Sequence, residues 1–206
     1  MGFGIIFIGY ITLLFFKILP PAMLVGAYLM RRGLAKLSIY GKSFRMSCRL
    51  CEALMVYFAL YTALWAGTLA GVTRVMSASW FLLVDSVIYY ALLLAFHIAL
   101  YAALEGIARE CGYEKGIKKV YFSRVLLTMV YAFSVFTLLL SGFGVAGYFR
   151  FAAFICQLVW YVYTIALLYG FYMRVATQEI IDEEEKKIAE LDAQIIARRT
   201  GKKSGK

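Results

Sequence analysis

The stretch "WFLLVDSVIYYALLLAFHIALYAAL", residues 80–104, decides the fold. It is longer than the roughly 20 residues a helix needs to cross a hydrocarbon core about 30 Å thick. Its only acidic or basic side chains are Asp85 and His97. It lacks the alternation that a barrel strand requires, and in lipid every backbone N–H and C=O must be satisfied within the segment, so it is read as a transmembrane helix. Comparable runs lie on both sides. Phe3–Met30, Leu50–Val72, Trp80–Leu104, Val125–Gly147 and Phe151–Met173 predict five transmembrane helices. Composition agrees: 63% of the 206 residues are hydrophobic and 17% charged, against roughly 25% charged in soluble domains. The expected fold is an all-α polytopic membrane helix bundle.

Lys and Arg in the short connections set the orientation. Arg31, Arg32, Lys36, Lys42, Arg45 and Arg49 occupy one connection, and Arg109, Lys115, Lys118, Lys119 and Arg124 another, whereas the opposite connections hold Arg74 and Arg150. The basic connections are therefore expected in the cytoplasm, with the N-terminus outside and the C-terminus inside. The opening "MGFGIIFIGY" has no basic n-region or small-residue cleavage site, so no signal peptide is read. The net charge of +10 follows from topogenic loops facing anionic lipid headgroups, and nucleic-acid binding is not expected. The predicted domains are a five-span region over 1–174, a cytoplasmic amphipathic helix over 175–200 that continues the fifth span, and a disordered basic tail over 201–206.

Around the helix of the third span, Ser86, Tyr90, His97 and Tyr101 fall within about 60° of one another at 100° per residue, and Asp85 with Tyr89 extends the arc. That face is expected to point into the bundle. One reading makes it the wall of an ion or proton route, since intramembrane Asp and His commonly mark such routes. The other makes it interhelical hydrogen bonding with aromatic packing. At about 1.5 Å per residue, Asp85 lies about 7 Å and Lys17 about 21 Å below the outer edge, so His97 is closer to Lys17 in depth than Asp85 is.

Lys17 stands in "FFKILPPAM", residues 15–23, in the middle of the first apolar run. Pro20 and Pro21 remove backbone donors and are predicted to kink the span, releasing the carbonyls of Phe16 and Lys17. The Lys17 ammonium is a candidate donor to them. A run of this length also lets Lys17 snorkel to an interface, and a functional buried charge is the third reading.

Beyond the kink, "LPPAMLVGAYLMRRGLAKLSIYGKSF" has LP, then a Gly, then RGL-x-KLS-x-Y and a Phe. Over about residues 5–50 it resembles an uncharacterised group of bacterial multi-pass membrane proteins common in Gram-positive genomes, which often read LPDxxGYLL before a GLxxL segment. Pro21 replaces the usual acidic residue, and the spacing to Gly26 is one residue longer. The resemblance implies a multi-pass protein of the bacterial cytoplasmic (plasma) membrane and names no substrate.

Gly67-x-x-x-Gly71 in the second span is read as a helix-packing pattern, with Tyr57, Tyr61, Trp65 and Thr68 lining one side. Cys48-x-x-Cys51 stands at the cytoplasmic mouth of that span. Its spacing suits a dithiol or half a metal site, and nearby Arg45 and Arg49 would favour a thiolate, but no second such pair accompanies it, so coincidence is the favoured reading. No P-loop, GxSxG, HExxH or dinucleotide fingerprint is present, and no catalytic residue, cofactor or metal site is assigned. Glu52 and Glu105 are read as boundary residues at cytoplasmic helix ends.

After Gly170 no Gly or Pro occurs until Gly201, so the fifth span is expected to continue as a helix into the cytoplasm. Ile181, Ile188 and Ile195 repeat every seven residues with Leu191 between, a short seam suited to docking on the loops or pairing with a second copy or another membrane protein. The expected function is that of an accessory, scaffold or interaction component of the membrane. The alternative is a small transporter or ion-route protein centred on Lys17, Asp85 and His97.

Overall fold

A computed structural model of the chain describes residues 2–13, 19–139 and 147–174. Among these, α1 is Gly2–Thr12, α2 Pro20–Leu37, α3 Lys42–Leu69, α4 Ser79–Glu110 and α5 Glu114–Leu139, and α6 is Gly147–Arg174. Short 3-10 turns at Ser38–Tyr40 and Val75–Ser77 precede α3 and α4. The described residues are helical throughout apart from turns, with no strand. Four helices, α3 to α6, are long and apolar enough to cross a membrane.

Those four helices differ in how much of themselves they bury. Half of the most apolar window of α4 is inside the protein, against 17% for α3 and 22% for α5. The central helix is therefore α4, while large apolar side chains such as Val56 and Leu60 on α3 and Val135 and Phe136 on α5 face outward. An outward apolar surface of this kind suits a hydrocarbon solvent.

The first predicted span, Phe3–Met30, is not one helix. The 11 residues of α1 extend roughly 16 Å, about half a hydrocarbon core. Antiparallel to it lies α2. A Cβ placed on Gly9 would meet the Gly26 carbonyl oxygen at 2.7 Å, and one on Gly33 would meet the Gly2 carbonyl oxygen at 2.7 Å. Gly2 thus faces Gly33, and Gly9 faces Gly26. The seven-residue spacing in both helices puts each pair two turns from the other on one seam, and the missing Cβ atoms allow the backbones to touch. Five continuous spans are replaced here by four long helices and a helical hairpin.

Pro20 and Pro21 stand in the first turn of α2, where a missing N–H breaks no intrahelical bond and the fixed φ suits helix entry. The expected kink is thus a chain reversal between two separate helices. Phe16 and Lys17 lie outside the described residues. Because the two arms are antiparallel, the beginning of α1 stands at the same end as Leu37 and Phe44: Gly2 is set against Leu37, and the Phe3 and Phe44 rings are 6.2 Å apart. The expectation that the N-terminus and the basic segment 31–49 lie at opposite ends does not hold.

Gly67 and Gly71 have a different task from the one expected. The amide of Val72 bonds to the Gly67 carbonyl at 2.9 Å and that of Gly71 to the Thr68 carbonyl at 3.1 Å, while Gly71 has φ +71°. This is the Schellman arrangement that ends a helix, and no atom of another helix lies within 4 Å of a Cβ placed at Gly71. Gly112, with φ +61°, ends α4 in the same way through Tyr113 to Ala108 and Gly112 to Arg109.

The chain divides into two compact units, Met1–Phe171 and Tyr172–Lys206. In the second, only the last residues of α6 are described, so the predicted amphipathic helix over 175–200 and the basic tail over 201–206 lie outside the described residues.

Candidate functional site

The buried stripe of α4 runs through Asp85, Tyr89, Leu93, Phe96, His97, Leu100, Tyr101 and Leu104, a three-to-four-residue recurrence that keeps one face inward. At its middle, His97 is fully buried. Its Nδ1 lies 2.7 Å from the Leu93 carbonyl oxygen and its Nε2 2.8 Å from the Tyr10 hydroxyl. A carbonyl can only accept, so the proton sits on Nδ1, and Nε2 accepts from Tyr10 in the neutral ring. The Trp160 ring stands 4.6 Å from the imidazole, close to edge-on, and Tyr161 lies 5.7 Å from Tyr10. Through these contacts α1 reaches both α4 and α6.

One turn further, Tyr101 gathers three elements. Its hydroxyl oxygen accepts from Trp160 Nε1–H at 2.8 Å and from the Ser123 hydroxyl at 2.7 Å. The Thr164 hydroxyl donates to the Trp160 carbonyl oxygen at 2.9 Å, which leaves Tyr101 to donate to Thr164, also at 2.9 Å. All four side chains are buried. A buried N–H or O–H without a partner is costly in lipid, and here each donor has one. No buried side-chain nitrogen or oxygen among the described residues lacks a partner. At the roughly 0.6 kcal/mol average for interhelical hydrogen bonds in membranes, the cluster contributes more to fixing helix register than to raw stability.

Asp85 belongs to a separate neighbourhood. Its Oδ1 accepts from the Tyr57 hydroxyl of α3 at 2.5 Å, and the Tyr57 ring lies 6.0 Å from Tyr89 and 6.1 Å from Tyr61. Twelve residues of helix separate it from His97, roughly 18 Å along the axis. The single polar arc read from the sequence therefore divides. His97 and Tyr101 join the central cluster, Asp85 pairs with α3, and exposed Ser86 bonds back to the Leu82 carbonyl. Tyr90, half-buried, sets its ring 6.0 Å from Tyr131, whose hydroxyl donates to the Tyr90 carbonyl. Lys17, the third member of the proposed charged set, lies outside the described residues.

The two cysteines of C-x-x-C turn toward α2. Cys51 is fully buried with Sγ 3.3 Å from the Ala27 carbonyl oxygen, and Cys48 Sγ is 3.9 Å from that of Arg31. Both sulfurs thus face acceptors, the partners of an S–H donor, and in that setting they act as small packing groups between α2 and α3. Among the described residues no group of His, Cys, Asp or Glu is arranged to hold a metal ion. Glu52 meets Arg31 at 2.9 Å, and Glu105 meets Arg109 and Arg124, each at 2.7 Å. Glu52, expected at a helix boundary, stands well inside α3 and ties it to α2, while Glu105 near the end of α4 ties α4 to α5.

Tyr10, Ser123, Trp160 and Thr164 were not singled out by sequence reasoning. The available signals were weak: Trp160 and Thr164 stand four residues apart on one helical face, and Tyr10 interrupts an aliphatic run. The hairpin glycines had a clearer one, the shared seven-residue interval of Gly2 with Gly9 and Gly26 with Gly33. Comparison with protein-family models, curated proteins and solved structures finds no match to the chain.

Proposed function

We propose that this chain is an accessory or scaffold component of a bacterial plasma membrane, whose work is to present a fixed helical surface to a membrane partner. The observation that supports this best is the closed hydrogen bonding of the buried cluster: His97, Tyr101, Trp160 and Thr164 use their polar groups on one another and on Tyr10, Ser123 and backbone carbonyls. Groups committed in this way lock helices. The plasma-membrane location rests on the N-terminal resemblance, and the orientation on the positive-inside rule. In that orientation the basic ends of α2 to α5 face the cytoplasm, the hairpin of α1 and α2 enters from that side, and both termini are cytoplasmic.

A second reading is favoured by Asp85, a buried carboxylate in an apolar helix held by Tyr57, which is the chemistry of a proton or cation stop. Crosslinking in native membranes and flux in proteoliposomes separate the two readings. The scaffold reading expects a discrete crosslinked complex and proton flux equal to that of empty vesicles. Flux above that background, lost in Asp85→Asn at unchanged folded yield, together with a chain that crosslinks to nothing, would overturn it.

A further inference from the structure

Arg31, Arg109 and Arg124 each meet a carboxylate. Lys42, Arg45 and Arg49 meet none among the described residues, and all three are exposed. They also converge. Together with Met46 and Leu50 they form one wall of an open pocket along the first turns of α3. Positions i, i+3 and i+7 lie on one stripe of a helix, here within roughly 10 Å of axial rise.

Beyond Arg49 the stripe carries no further cation, and Glu52 at its edge is held by Arg31. Ala53, Val56 and Leu60 follow at helical spacing and are exposed, Val56 by 62% and Leu60 by 63%. A cationic head above a bare aliphatic track has the polarity of a phospholipid turned to complement it: phosphate against guanidinium and ammonium, acyl chain along the apolar face. Soluble anions have no use for the track, and a lipid of no net charge leaves unbalanced three cations that meet no carboxylate among the described residues.

We propose that Lys42, Arg45 and Arg49 form a binding site for the phosphate of an anionic phospholipid in the cytoplasmic leaflet, with an acyl chain lying along Met46, Ala53, Val56 and Leu60. The site rests on the membrane-spanning reading of α3.

The test uses the full chain reconstituted in phosphatidylcholine vesicles with and without phosphatidylglycerol. Flotation with the vesicles after an alkaline carbonate wash checks the spanning reading separately. Native mass spectrometry then measures retained phosphatidylglycerol against phosphatidylcholine. The combined variant Lys42→Gln, Arg45→Gln, Arg49→Gln is expected to lower that preference by roughly tenfold or more, because it removes the charge-assisted hydrogen bonds to the phosphate as well as the charge. A control variant of equal charge change, Lys115→Gln, Lys118→Gln, Lys119→Gln, is expected to retain it. Arg45→Gln alone should give a partial loss, and it covers the case in which the triple variant does not fold. Equal loss in the control variant, no loss in Arg45→Gln or the triple variant, or displacement of the lipid by inorganic phosphate would each overturn the proposal.

Discussion

Replacing Gly9 by alanine tests the hairpin directly. The new Cβ would stand 2.7 Å from the Gly26 carbonyl oxygen and 2.8 Å from the Met30 amide nitrogen, both backbone atoms. Neither can rotate aside, so the helices must part by about 0.7 Å to reach the 3.4 Å at which ordinary contact begins. Overpacking of this kind costs about 1–3 kcal/mol, and removing a helical glycine returns about 0.5–1 kcal/mol. The mid-range net loss is about 1 kcal/mol, or roughly 2–4 °C in midpoint for a chain of this size. Gly106→Ala is the matched control: it also lies in a helix, with nothing within 4 Å of its Cβ, and is expected to raise the midpoint by a few degrees at most. Cys51 supplies the assay. On α3, it is fully buried against α2, so with the other cysteines changed to serine, maleimide labelling during a thermal ramp in detergent reports the opening of the bundle between α2 and α3, and its midpoint follows the stability that the α1–α2 contact contributes. Equal midpoints for Gly9→Ala and Gly106→Ala would refute the close approach of α1 to α2.

Other outcomes follow from the same geometry. Tyr101→Phe strands the Trp160 N–H and leaves Ser123 only the longer contact to Thr164, 3.2 Å, and should destabilise by about 1–3 kcal/mol in chemical unfolding; Tyr90→Phe, which keeps the ring and the carbonyl that Tyr131 uses, should fall within about 0.5 kcal/mol of the parent. Tyr10→Phe and His97→Phe should be non-additive in a double-mutant cycle, because each leaves the other's polar group buried; simple additivity would remove the pair from the core. In the folded chain Cys111, exposed, should label with maleimide promptly while Cys51 stays protected until denaturation.

The helices that cover residues 80–104 and most of 50–72 were legible because each apolar run is long enough to cross a membrane, and the inward face of α4 was legible because Asp85, Tyr89, His97 and Tyr101 recur at helical spacing. Length misled at the other end of the chain. Phe3–Met30 has enough apolar residues for one span, and an apolar count carries no sign of direction, so a helix and a reversed pair of helices read alike. In a continuous run the proline pair implies a kink; once α2 begins at Pro20, the same residues are ordinary first-turn prolines. Gly67-x-x-x-Gly71 was misplaced for a related reason, since a packing motif and a helix ending both use glycine, and only the positive φ of Gly71 distinguishes them. The cluster at Tyr101 depends on Ser123 and Trp160, whose sequence distances of 22 and 59 residues leave no periodic trace.

The seat of α1 has a consequence for biogenesis. Phe3 stacks on Phe171 at 6.0 Å, Phe7 lies 5.6 Å from Tyr169, and Tyr10 meets His97 and Tyr161. A helix near the beginning of the sequence is therefore completed by α6, and until α6 has formed the side chains on that face of α1 have only part of their surroundings. Closure of the bundle is thus a late event, timed by the arrival of Trp160 and Phe171 and not by the order in which the earlier helices form.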